Sequence, residues 1–255
     1  IIFRNANKLF RKIDIMERAY KYRIYPNKTQ QELIQKTFGC VRFVFNYYLD
    51  KRIKIYENEK RSFTYNMCCK DLTSLKKEIE WLKEPDKDSL QKSLKDLDTA
   101  YKKFFTEHTG YPKFKSKKDR HRSYRTSCTY NNIRLENKRI KLPKLGWIKI
   151  KDKQIPQGRI LNATISQEPN GHYYCSLCCT EVEFEQYPKT NKNIGIDLGL
   201  IDFAILSNGI KIDNPQFYER SEKKIIKLQK ELSRKTRGGF NWNKTRIKLA
   251  NLYKH

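Results

Sequence analysis

The hydrophobic period of this chain changes around Gly110 and Pro112, and that change limits what it can fold into. Before it, apolar residues recur three and four apart. Ile34, Phe38, Val41, Phe45 and Tyr48 share one face of a helix read over 30–57, with Lys36, Arg42, Lys51 and Arg52 opposite. Thr29 with Glu32 has the spacing of a capping box for its start. A second helix, roughly 64–83, uses Leu72, Leu75, Ile79 and Leu82, and Pro85 closes that region. Asp88 with Gln91 is expected to cap a third, whose apolar side carries Leu90, Leu94, Leu97, Tyr101 and Phe104. From 130 to 182 the period is two, with short strand signals at Ile133/Leu135, Ile140/Leu142, Trp147–Ile150, Ile160–Ile165 and His172–Val182. Pro143, Pro156 and Pro169-Asn170-Gly171 punctuate them. Residues 18–25 alternate as well. That strand is expected to join a small antiparallel sheet or barrel, which makes the helices an insertion between its first and second strands.

Charge restricts the partner. Lys and Arg number 55 against 28 Asp and Glu, a formal net charge of +27. Self-repulsion of that size destabilises a compact chain, and a polyanionic partner relieves it. The excess is spread along the sequence instead of being confined to a tail, which points to nucleic acid. No apolar run reaches the ~18 residues of a transmembrane helix, so no membrane partner is expected. Seven cysteines, two pairs of them adjacent, do not make a disulfide framework, which suits a cytoplasmic location. Residues 1–15 read as a disordered leader ahead of Met16.

Two basic stretches are candidate phosphate contacts. Residues 111–125 hold seven Lys/Arg and one Asp, interleaved with Tyr111, Phe114 and Tyr124. Lys113, Lys115, Lys117, Lys118, Arg120, Arg122 and Arg125 are the candidates there. Residues 220–255 hold twelve Lys/Arg and two Asp/Glu on helical spacing broken at Gly238-Gly239. Arg234, Lys235, Arg237, Lys244 and Arg246 are the candidates in that long cationic helix.

Between the sheet and that helix runs Asn193-Ile-Gly-Ile-Asp-Leu-Gly-Leu-Ile-Asp-Phe-Ala-Ile-Leu-Ser-Asn-Gly. It reads as a central strand ending in Asp197, a glycine turn, and a second strand leading to Asn208-Gly209. A rigidly held carboxylate at a strand end suits a divalent cation, but two-metal phosphodiester chemistry needs two or three further acids. Asp202, five residues on, is expected to serve the turn. Cys175-x-x-Cys178 lies inside an apolar strand with no second pair, so no zinc site is expected in this chain. The four histidines have no metal or triad spacing.

Four segments in order resemble the TnpB (OrfB) family of insertion-sequence proteins, relatives of the type V CRISPR effectors. They are Met16–Asn27 with the helix after it, Leu97–Phe105 with Gly110–Ser116, Ile194–Gly199, and Leu232–Gly238 with Asn243–Leu249. The resemblance implies an α+β multidomain protein. An OB-like β wedge domain (16–27 and 110–187) would carry a helical, helix-turn-helix-like recognition insertion (28–109). An incomplete RNase H-like (RuvC) α/β domain would follow at 192–255. It also implies an RNA-guided DNA endonuclease and transposase accessory. Its partners would be a guide RNA from the transposon end and target double-stranded DNA, its metal Mg²⁺, and Asp197 the first catalytic acid. In the family a Glu motif, a four-Cys zinc ribbon and a final Asp motif lie beyond that point. This sequence stops at His255 before them, so the expectation is that the chain as given binds without cleaving. The other reading is a non-catalytic nucleic-acid-binding protein that acts as a repressor or transposon-end binder.

Overall fold

The computed structural model describes residues 15–119, 122–152, 154–183, 190 and 192–254. The leader up to residue 14, Arg120 and most of the linker before Asn193 lie outside them, and Ile15, read as the end of the leader, opens the first strand. The fold is mixed α and β, with a large antiparallel sheet and five α-helices among the described residues. It divides into two compact units, one reaching from the first strand to residue 184 and the other from 185 onward. The tip at Pro169–Gly171 clusters with the second.

In the first unit, β1 (Ile15–Tyr25) leads into α1 (Lys28–Glu59), α2 (Tyr65–Glu78), a 3₁₀ turn (Glu80–Lys83) and α3 (Lys87–Thr106). Then come β2 (Arg122–Ser127), β3 (Arg134–Glu136), β4 (Arg139–Leu142), β5 (Gly146–Ile150), β6 (Arg159–Gln167) and β7 (Tyr173–Glu183). The sheet order is β2-β6-β7-β1-β5-β4-β3, antiparallel at every pairing. The first strand therefore does join the later ones, at the centre, and the helices are inserted after it. One core serves sheet and helices alike. Ile34, Phe38, Val41, Phe45 and Tyr48 of α1 are all buried, with Leu90, Leu94 and Leu97 of α3 and Ile24, Ile140, Ile148 and Leu177 of the sheet.

Three local details differ from the sequence reading. The capping box belongs to Asn27 and Gln30, not Thr29 and Glu32. Asn27 Oδ1 accepts from Gln30 N (2.8 Å) and Gln30 Oε1 accepts from Asn27 N (3.0 Å). Pro26 ends β1, and the cap forms on the next residue, which is two positions earlier than the Thr-x-x-Glu pattern suggested. The third helix starts at Lys87, so Asp88 sits in its first turn, where its carboxylate accepts from the Ser127 amide of β2 (2.5 Å). Residues 122–127, read as part of an extended basic segment, are that strand. Its inward positions are Tyr124 and Thr126, both buried, and the flanking arginines hid the alternation.

The second unit holds β8 (Ile196–Asp197), β9 (Asp202–Leu206) and β10 (Lys211–Asp213) in the order β10-β9-β8, then α4 (Phe217–Ser233) and α5 (Phe240–Leu252). The predicted turn at Asn208-Gly209 joins β9 to β10, with Gly209 at φ +87°. No described helix is long and apolar enough to cross a membrane.

Candidate nucleic-acid and metal-ligand site

Asp197 ends β8, its Cα opposite Ile205 in β9. Among the described residues β8 is an edge strand of only two residues, where the sequence suggested a central one. The short strand is held on its β9 side. Gly195 N donates to Ser207 Oγ (3.0 Å), and Ser207 N returns a bond to the Gly195 carbonyl (2.9 Å). Gly199 follows because a Cβ there would stand 3.0 Å from the Asp202 carbonyl oxygen. Asn214 Nδ2 donates to the Leu200 carbonyl (2.7 Å) and closes the turn. Asp197 itself is exposed. Asp202, expected to serve the turn, lies 3.6 Å from the Lys211 ammonium of β10. Among the described residues no group of three or more His, Cys, Asp or Glu is placed to hold a metal ion. Cys175 is fully buried in β7, and desolvation pushes its thiol pKa up. Cys178 Sγ instead lies 3.9 Å from Glu17 Oε2, so the two sulfurs serve different surroundings.

The cationic candidates divide by their bonds. In the first unit Lys113, Lys117 and Lys118 are exposed. Lys115 is exposed as a residue, yet its ammonium rests 4.0 Å from the Phe45 ring centre, and desolvation there lowers its pKa. Its backbone is clasped by Asn46, which donates to the Lys115 carbonyl (2.9 Å) and accepts from the Lys115 amide (2.8 Å). Arg122 donates to Gln35 Oε1 (2.9 Å) and Arg125 to Asp96 Oδ1 (2.6 Å). Arg120 lies outside the described residues. In the second unit Arg234, Arg237 and Lys244 are exposed around the α4–α5 turn. Lys235 is engaged: its ammonium donates to Glu231 Oε1 and to Thr245 Oγ1 (2.6 Å). Arg246 donates to the Pro169 carbonyl (2.5 Å). Glu231 and Lys235 stand four apart on a helical pattern, and that spacing was the available signal for a pin.

Comparison with known proteins fits this order of elements. Residues 16–61 match a family model described as "Helix-turn-helix domain", of the OrfB IS605 type. Over that span the structure has β1 and one long helix. Residues 176–255 match the OrfB IS605 model described as "Probable transposase". A Streptomyces pristinaespiralis protein named "Putative RNA-guided DNA endonuclease" is 33% identical over 93% of this chain and 60% of its own length. The Escherichia coli K12 protein of the same name, InsQ, is 32% identical over 92% of this chain and 58% of its own length. The chain belongs to the TnpB (OrfB) family. It spans about three-fifths of the length of these two relatives. A Salmonella dublin protein named "Virulence protein VsdF" is also similar, 33% identical over 40% of this OrfB-family chain and 95% of its own length.

Proposed function

We propose that this OrfB-family chain binds a guide RNA derived from the transposon end and engages double-stranded target DNA, as part of an RNA-guided endonuclease system. The observation that carries the reading is the span of the similarity: the likeness to proteins of that name runs over nine-tenths of the chain. Exposed Lys113, Lys117, Lys118, Arg234, Arg237 and Lys244 supply phosphate contacts. In this reading the large sheet (16–27 and 110–187) is the OB-like wedge, 28–109 the recognition insertion, and 192–255 part of a RuvC-type domain. The cytoplasm is its place of action.

A nuclease of this kind works with a divalent metal, and Mg²⁺ is the ion proposed. Asp197 is the residue proposed to ligate it. The described residues do not by themselves fit that ion, because no three or more His, Cys, Asp or Glu among them are grouped to hold it and Asp202 lies 3.6 Å from the Lys211 ammonium. No chemical step is therefore derived through the metal. This same observation favours a second reading, in which the 255-residue chain binds and occupies its nucleic acid without cutting. Incubation with guide RNA, matched duplex and Mg²⁺ tests both. Retained binding without cleavage is expected. Efficient cutting abolished by Asp197→Ala would overturn the non-cutting reading, and absence of any RNA binding would overturn the whole assignment.

A further inference from the structure

At its β3–β4–β5 end the large sheet turns one face to the core and leaves Arg134, Arg139, Trp147 and Lys149 of the other exposed. Ile24, Ile140, Leu142, Ile148 and Ile150 point into the core shared with the helices. Period-two alternation sends their neighbours to the other side. There the register sets two rows across four strands. Tyr25 of β1 stands opposite Lys149 of β5, which stands opposite Arg139 of β4. Trp147 of β5 stands opposite Lys141 of β4, which stands opposite Arg134 of β3. The second row reads aromatic, cation, cation; the first begins the same way and ends on Glu136 of β3, opposite Arg139.

Like charges directly opposite one another destabilise a sheet. This sheet keeps two such pairs side by side. The acid within the patch is Glu136, opposite Arg139 and 3.9 Å from Arg134; one half-exposed carboxylate against four cations offsets the repulsion only in part. Each ring also has a guanidinium close by: Arg23 is 5.1 Å from the Tyr25 centroid and Arg134 6.0 Å from that of Trp147. Cations kept at a cost to stability call for a polyanion. Rings lying among them on an open sheet surface call for bases whose faces are free to stack, which duplexes do not offer.

We infer that this outer face binds an unpaired segment of RNA, with phosphates on Arg134, Arg139, Lys141 and Lys149 and bases on Tyr25 and Trp147. The inference rests on the RNA-binding reading above, in which the DNA arrives as a duplex and the guide is the strand with unpaired stretches.

The test uses the full chain in EDTA with an oligouridylate of about 16 nucleotides, a length suited to one β-sheet platform. Replacing the four cations by Gln should flatten the salt dependence of binding by about three units of log–log slope, at about 0.7 per lost contact. The variant should melt no lower than the parent, because the repulsion is gone. Trp147→Leu should weaken binding about tenfold with little change in slope. An unchanged slope and affinity in the folded four-cation variant would overturn the inference while leaving RNA binding by the chain intact. Failure of the parent chain to bind the oligonucleotide at all would overturn both readings. Losses as large for oligothymidylate or a DNA duplex as for the RNA would overturn the assignment to RNA.

Discussion

At the scale of single residues, burial decides what each polar group does. Tyr48 is fully buried in α1, and its hydroxyl donates to Asp71 Oδ2 (2.9 Å). Lys51 bonds both oxygens of the same carboxylate at 2.8 Å. Burial and the Asp71 carboxylate together push the Tyr48 phenol far up, so it stays a donor at any physiological pH. Asp71→Ala removes that acceptor from a buried hydroxyl and is expected to cost about 1–3 kcal/mol in chemical denaturation. Tyr48 was legible in the sequence as a core position, since it completes the helical spacing from Ile34. Asp71 was not legible, because nothing in a one-dimensional pattern shows which carboxylate a distant helix will meet. The same limit applies to the basic residues. Composition picked out the 111–125 stretch but could not show that Arg125 meets Asp96 or that Lys115 leans on Phe45. Lys117→Gln should therefore lower the salt dependence of nucleic-acid binding by about one unit of slope, and Arg125→Gln by less. Titrating binding against salt for both variants checks the ranking.

At the scale of elements, two polar joints hold segments that hydrophobic spacing alone leaves loose. The first is at the start of α1. Gln30 completes the capping box through Oε1 and donates through Nε2 to the Leu145 and Trp147 carbonyls, at 2.9 and 3.1 Å. It ties the helix to the β4–β5 hairpin as well as to its own cap. Asn27→Ala is expected to cost about 1 kcal/mol by thermal denaturation. Gln30→Ala should cost more, because it also leaves the two hairpin carbonyls without their donor. The second joint is between α4 and α5. Thr245 is buried and donates to Glu231 Oε1 (3.1 Å), and Lys235 bridges both. The Lys235 and Thr245 bonds hold the Glu231 carboxyl below its usual range. A depressed carboxylate pKa contributes stability above the ordinary carboxylate range and loses it as pH falls through the lowered value. Amide protection factors in α5 should thus fall on acidification toward that range, and Lys235→Met should remove more of the pH dependence than Thr245→Val. The helices themselves were readable from spacing, including the break at Gly238-Gly239. The spacing of Glu231 and Lys235 was readable too, but the part of Thr245 in the pin was not, because it lies across that break.

At the scale of the whole molecule, the change of hydrophobic period correctly foretold a helical block inserted into a β-sheet. It did not foretell that the helices and the sheet would share one core. In the centre of that sheet Tyr20 of β1 pairs with Leu177 of β7, so the earliest strand is completed by the last strand of its unit. Among the described residues, strand β1 has on its other side only β5, through a short contact at Ile24 and Tyr25. On the ribosome, β1 therefore emerges long before its main neighbour exists. At about 5–20 residues per second, the wait is roughly 10–30 s. Throughout it, an aromatic and strongly basic strand and the apolar faces of α1 and α3 lack the surface they are shaped for, and non-local pairing of this kind is slow even once the chain is free. Stalled nascent chains should stay protease-sensitive across β1 until β7 has cleared the exit tunnel, then become protected in a single step. For this protein, biosynthesis is itself a period of exposure, and a chaperone or an RNA that reaches the nascent chain during it meets β1 before the sheet does.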